Sequence, residues 1–280
     1  MMKSRHDFHP ALRLLVYCVM LLFTLMTIAP LIWLMLSSLK TTAEFQLNRL
    51  GWPQNPTLFN YASAWRVGKF GTLFLNSLFF TIASTFAIII LSVGAGFAFA
   101  KLRSKATPVL HGSFIIGILL TIQSIMVPLF LLVNAVGLYN TRTGVLIPYI
   151  GMGMPIGVYL CTEFIKGIPD SVVESARIDG AGYLKILSAI IWPMAKPVAV
   201  TLAILNIAGT WNEFMLINIL VSAESLRTLP VGILRFSSAL SSDYGRQFAA
   251  LVIGMLPMVI FYLIFRKQIT KGVSAGAVKG

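Results

Sequence analysis

Apolar runs close to the roughly 20 residues that cross a bilayer as a helix recur along nearly the whole of this chain, at about 12–39, 71–100, 108–133, 144–161, 197–221 and 247–265. A chain built this way has few folds open to it, because lipid offers its backbone no hydrogen-bond partners and a lone spanning segment must therefore be helical. The expectation is an all-α membrane protein: one domain over residues 1–280, with six transmembrane helices joined by short polar segments. The charge content agrees, since 11% charged residues is less than half of the roughly 25% of a soluble domain. The first run exceeds the 7–15 residues of a signal-peptide core and is followed by no A-x-A site, so it reads as an uncleaved span. Pro30, Pro128, Pro148, Pro155 and Pro257 fall inside the runs, where neighbouring helices and water can satisfy the freed carbonyls.

Lys and Arg accumulate on the cytoplasmic side of membrane proteins. With both termini cytoplasmic, the inner segments 1–13, 101–107, 162–196 and 266–280 hold most of the 22 basic residues, the short KLRSK loop most densely. The net charge of +13 then reflects topology and contact with anionic lipid, and it does not call for nucleic acid. Cys18 and Cys161 lie in apolar runs without CxxC spacing and read as packing residues.

The longest inner segment, 162–196, contains ESARIDGAGYLKILSAIIWP. Ser171 and Glu174 fit a capping box, with Asp170 as a competing cap, so a helix is expected from there to about Asp179. Gly180 supplies a residue that accepts the left-handed conformation ending many helices. Tyr183, Ile186, Leu187, Ile190 and Ile191 then recur as one apolar helical face until Pro193 interrupts it. The segment reads as a helix, a turn and an amphipathic helix, and on these residues alone an interfacial pair lying on the membrane fits as well as a docking element.

Glu174-Ser175-Ala176, then Gly180, Ile190 and Pro193, resemble the loop signature of the inner-membrane permease subunits of ATP-binding-cassette importers, which read Glu-Ala-Ala, three residues, Gly, nine residues, Ile, one residue, Leu-Pro. IPDSVVESARIDGA, TWNEF at 210–214 and GVSAGAVKG at 272–280 are similar to the carbohydrate-uptake, maltose-type branch. Ser175 stands where the first Ala of the signature is usual and Trp192 where Leu is usual; a serine hydroxyl can bond back to its own helix, and the larger Trp bears on the geometry of the second helix.

The resemblance implies that this loop couples the membrane bundle to a separate ATPase, through Glu174, Ser175, Ala176, Asp179, Gly180 and Ala181. Glu174 would be the charged contact, Ala176 a small residue allowing close approach, and Gly180 the turn. It further implies a bacterial inner membrane, a second and non-identical permease subunit, two ATPase subunits, and an extracytoplasmic solute-binding protein. ATP and Mg would be bound by the ATPase partners. The chain carries no GxxxxGK, HExxH or GxSxG motif, so no catalytic residue, metal ligand or cofactor site is assigned to it, and it is expected to be a transport subunit and no enzyme.

In the fifth run Asn206, Thr210 and Glu213 recur at i, i+4 and i+7, with Trp211 and Asn212 beside them. Polar groups at membrane depth face a protein interior or a water-filled path. The stripe therefore marks a sugar pathway or bonds to neighbouring helices. Thr121, Gln123, Ser124, Asn76 and Ser77 are weaker pathway candidates. A secondary transporter driven by an ion gradient through Glu213, and an importer of a non-sugar solute such as glycerol phosphate, are the alternatives. Gly94 and Gly96, and the pair Gly153 and Gly157, read as helix-contact surfaces. The segment 40–70, with Trp52 and Trp65, is expected outside, as a lid or a binding-protein contact. The tail 266–280 is expected to be disordered or partner-bound; its similarity to the tails of sugar-uptake permeases implies a segment lying along the ATPase subunits, extended because Gly272, Ser274 and Gly276 disfavour a helix.

Overall fold

A computed structural model describes residues 10–102, 104–234 and 243–277; the basic positions Lys3, Arg5, Arg103 and Lys279 lie outside the described residues. In chain order the helices are α1 (Pro10–Ser38), α2 (Thr42–Leu47), α3 (Phe59–Val67), α4 (Phe70–Lys101), α5 (Thr107–Ile118), α6 (Ile122–Ala135), α7 (Arg142–Lys166), α8 (Asp170–Ile178), α9 (Tyr183–Met194), α10 (Lys196–Asn212), α11 (Met215–Leu220), α12 (Leu229–Ile233) and α13 (Tyr244–Ala277). No strand occurs among the described residues. Among the described residues four helices are long and apolar enough to span alone, and two bent pairs bring the number of spans to six if each pair counts as one.

Two expected spans are not single helices. The third is α5 and α6, which meet at 109°. Thr121 at the break is extended, and its hydroxyl lies 2.9 Å from that of Ser124, so local side-chain bonding displaces the helix ladder. The fifth is broken at Glu213, as described below. Ahead of it, between α9 and α10, the chain bends by 72° at Ala195, flanked by Pro193 and Pro197, which cannot donate to a helix ladder.

The chain forms two compact units, residues 1–68 with 233–255, and residues 69–232 with 256–280. In the first, the end of α1 and the start of α13 carry an aromatic group in which Trp33, Phe45 and Phe248 meet edge to face. Lys40 is 1% exposed, and its ammonium donates to the Asn48 and Gly51 carbonyls at 2.8 and 2.6 Å. A buried cation is tolerated when its protons are taken up in this way. The segment after α1 is therefore built around a fixed polar centre, with Trp52 exposed on it.

In the second unit α4 packs along α7 and α10, and α5 packs on α7. Glycine makes the close approaches possible: a Cβ on Gly96 would lie 2.8 Å from Cys161 Cβ, while Gly153 abuts Ile88 and Gly157 abuts Ser92. Asn76 donates to the Ser225 and Arg227 carbonyls and Ser77 accepts from Leu229 N–H, so the two hold the entry and the first residue of α12 against α4. The tail departs from the extended expectation, since α13 continues to Ala277. Lys, Gln, Arg and Ala in this stretch favour a helix that already runs through the preceding span, and propagating a formed helix costs far less than nucleating one.

Candidate functional site

The chain leaves α7 through Gly167 and Ile168, and Pro169 opens α8. The expected capping box is not formed. No side chain caps this end; Asp170 occupies the first helical position and pairs with Lys101 instead. Val173 and Ala176 are buried in a cluster with Phe97, Ile165, Ile186, Ile191 and Val198. Ala176 thus faces its own chain, contrary to the expectation that it permits approach of a partner. Ser175 donates to the Ser171 carbonyl at 2.8 Å, the back-bond open to a serine at this position.

The turn has a defined hydrogen-bond pattern. Gly180 sits at φ +80°, Gly180 N–H donates to Arg177 O at 3.0 Å, and Ala181 N–H donates to Ala176 O at 2.9 Å. This pair of bonds closes a helix end around a left-handed residue. Ala181 packs on the same cluster, and the Arg177 guanidinium lies 5.2 Å from the centre of the Tyr183 ring, tying α8 to α9.

In α9 the buried positions are Ile186 and Ile191, with Leu187, Ile190 and Trp192 packed partly against them, while Tyr183 is exposed. Residues Leu187–Ile191 form a π turn, and Trp192 N–H donates to Leu187 O. The wider turn carries the helix past Pro193 as far as Met194, beyond the expected interruption, because it relaxes the contact between the proline ring and the preceding turn. Glu174, Asp179, Ile178 and Leu184 are left exposed on this hairpin. Ile178 and Leu184, at 86% and 82% exposure, were not singled out from sequence, although both lie off the apolar faces. A cleft of 490 Å³ beside α8 is lined by Lys101, Asp170, Val173, Glu174, Arg177 and Tyr183.

Most of the stripe in span five is engaged within the chain. Asn206 donates to Thr85 Oγ1 of α4 at 2.6 Å. Trp211 is buried edge-on to Phe74, and Asn212, exposed, bonds to the Ala208 carbonyl. Thr210 is half-buried. Glu213 ends α10 in an extended conformation and its carboxylate then accepts from Leu216 N–H at 2.7 Å, Ile217 N–H at 3.3 Å and Tyr149 Oη–H at 2.6 Å. An anionic acceptor at the start of a helix takes up donors that have no partner within it, which lets α11 restart after the break. None of the five lines the apolar cavity of 610 Å³ between α5, α6 and α7 bounded by Leu129, Val133, Pro148 and Met152.

The family described as binding-protein-dependent transport system inner membrane component matches residues 92–275, a stretch that contains the α8–α9 hairpin and the Glu213 break. The chain belongs to this family. It is a multi-pass permease subunit, part of a transporter complex. It is 35% identical over 259 residues to the multiple sugar-binding transport system permease protein of Streptococcus mutans, covering 91% of this chain and 93% of that one. The match to the probable starch degradation products transport system permease protein of Thermoanaerobacterium thermosulfurigenes is 33% over 261 residues, covering 92% and 94%. The fold resembles a chain from the crystal structure of a bacterial ABC transporter involved in the import of the acidic polysaccharide alginate, with a TM-score of 0.81, 24% identity, and 95% and 99% of the two chains covered.

Proposed function

We propose that this permease forms half of the membrane pathway of an ATP-driven sugar importer and that α8 is the element through which a separate ATPase acts on it. The observation that carries the reading is the construction of the hairpin. Its inner face is packed into the bundle through Val173, Ala176, Ile186 and Ile191, while Glu174, Ile178, Asp179 and Leu184 stand outward. A hairpin fixed on one side transmits a displacement that a flexible loop would absorb, and its outward side joins a carboxylate to apolar contacts, as protein interfaces do. The complement is a second, non-identical permease, two ATPase subunits that bind ATP and Mg, and an extracytoplasmic binding protein. Both ends of this chain are then cytoplasmic.

The names of the relatives support a sugar as the solute. On this reading the pathway contribution of span five narrows to Thr210 and Asn212, while Asn206, Trp211 and Glu213 shape the helix that presents them. The ion-gradient alternative draws no support from Glu213, whose carboxylate is engaged by two backbone donors and a hydroxyl.

Affinity purification from native membrane, followed by uptake of labelled maltodextrins into proteoliposomes, tests the reading. The expected result is co-purification with a second permease and an ATPase, and uptake that requires ATP and added binding protein. A homo-oligomer without companions, transporting on an ion gradient, would overturn it.

A further inference from the structure

Lys101 is the last residue of α4, and its side chain is 4% exposed. Its ammonium donates to the Ile168 carbonyl at 2.5 Å and to Asp170 Oδ1 at 2.6 Å. These acceptors flank Pro169, where the chain passes from α7 into α8. Both charges also sit where the helix dipoles favour them, the cation in the last turn of α4 and the carboxylate in the first turn of α8. Because the ammonium is buried, separating the two helices would strand a charge with its hydrogen bonds unmade, whereas Asp170, 63% exposed, would simply rehydrate. The clamp therefore resists opening from the lysine side. The same residues line one wall of the cleft that carries Glu174.

We infer that Lys101 is a positioning residue for coupling: it fastens the first turn of α8 to the end of α4, so that a displacement of α8 reaches α4 and is not dissipated at the Gly167–Pro169 elbow. The inference rests on the proposed coupling role of α8. Without the clamp, α8 would stay attached to α4 through the apolar contacts of Val173 and Ala176 and through backbone that passes an exposed glycine. Apolar contacts of that kind are non-directional. An ion pair with a second bond to a carbonyl fixes orientation as well as distance.

The test uses the complete assembly in a background lacking Cys18 and Cys161, with nitroxides at Ser171 in α8 and Ile82 in α4, both exposed. Distances are measured without nucleotide and trapped with Mg·ATP and vanadate. The inference expects one unchanged Ser171–Ile82 distance in both states for the native lysine, a nucleotide-dependent change for Lys101→Met, and return to a single distance for Lys101→Arg. Uptake of maltodextrin per ATP hydrolysed should fall about tenfold in Lys101→Met, within the range of ordinary allosteric couplings, with the ATPase still bound. If Lys101→Met does not assemble, Asp170→Asn, at an exposed position, should give the same divergence more weakly. A distance that already changes with the native lysine, or full coupling in both variants, would overturn the inference. Glu174→Lys measured alongside separates the two readings: if it uncouples while Lys101→Met is silent, the clamp fails alone; if it too is silent, the docking role of α8 fails.

Discussion

The hydroxyl of Tyr149 in α7 donates to the Glu213 carboxylate at 2.6 Å, so the residue that interrupts span five is held by a neighbouring helix as well as by the N–H groups of Leu216 and Ile217. Glu213→Ala removes the acceptor from three donors at once. Leaving a buried donor unsatisfied costs about 1–3 kcal/mol, so thermal unfolding in detergent should shift clearly downward. Glu213→Gln keeps one carbonyl oxygen and should fall between Ala and the native residue. An alanine variant as stable as the parent would mean that the break is held by packing alone.

Asn206 lies in the same stripe, and its bond to Thr85 joins two helices side by side. Interhelical side-chain bonds in membrane proteins average about 0.6 kcal/mol. Asn206→Ala should therefore assemble and transport almost normally. A raised half-saturation for sugar with normal assembly would instead place Asn206 in the pathway.

Two glycines of α4, two positions apart, should respond in opposite directions. A Cβ on Gly96 would fall 2.8 Å from Cys161 Cβ and 2.9 Å from the Cys161 carbonyl carbon, whereas one on Gly94 meets nothing within 4 Å. Gly96→Ala forces α4 and α7 apart, an overpacking that typically costs about 1–3 kcal/mol. Gly94→Ala removes a helix-weakening residue from a helix interior and should be neutral or stabilising by up to about 1 kcal/mol. Unfolding midpoints of the two variants, compared in one detergent, check the contrast.

Gly180, at φ +80°, ends α8, and a side chain in that backbone region costs about 1–2 kcal/mol. Gly180→Val should leave insertion intact but loosen the turn and weaken ATPase association, measured by co-purification. Gly180→Asn should be tolerated better, because asparagine enters the left-handed region more readily. Equal ATPase retention by all three proteins would show that the turn does not set the docking geometry.

The C-terminal part of α13 is expected to serve the assembled complex. Deleting 272–280 should leave insertion and permease pairing unchanged while lowering coupled ATP hydrolysis about fivefold, the low end of ordinary coupling free energies. Unchanged hydrolysis in proteoliposomes would make this stretch a simple helical extension.

The parts of this fold that were legible in the sequence are those set by local chemistry. Gly180 after a short polar helix, the back-bonding of Ser175, and the apolar period through Ile186 and Ile191 all depend on neighbours within one or two turns. The breaks at Thr121 and Glu213 were not legible, because apolar runs of 108–133 and 197–221 carry no glycine or proline at those points. Glu213 could be read as a polar group at membrane depth, but its acceptors' donors come from residues beyond it and from Tyr149 on another helix. Lys101 counted as one more basic residue of an inner loop until the fold set it against a carboxylate 69 positions later. Ala176 was legible as a small residue in a signature, and its inward orientation required knowing what α8 packs on.

α4 is unbroken over 32 residues, so at 1.5 Å per residue it is about 48 Å long, well beyond the roughly 30 Å of a hydrocarbon core. Near its start Asn76 and Ser77 grip the entry and first residue of α12, and its last residue grips the elbow before α8. Such a helix behaves as a lever with a handle near each end. A tilt of about 10°, well inside the range that membrane helices adopt, would displace one end relative to the other by roughly 8 Å over that length. Torque applied at either handle arrives at the other within the time of a rigid-body rotation, with no relay of side chains through the lipid.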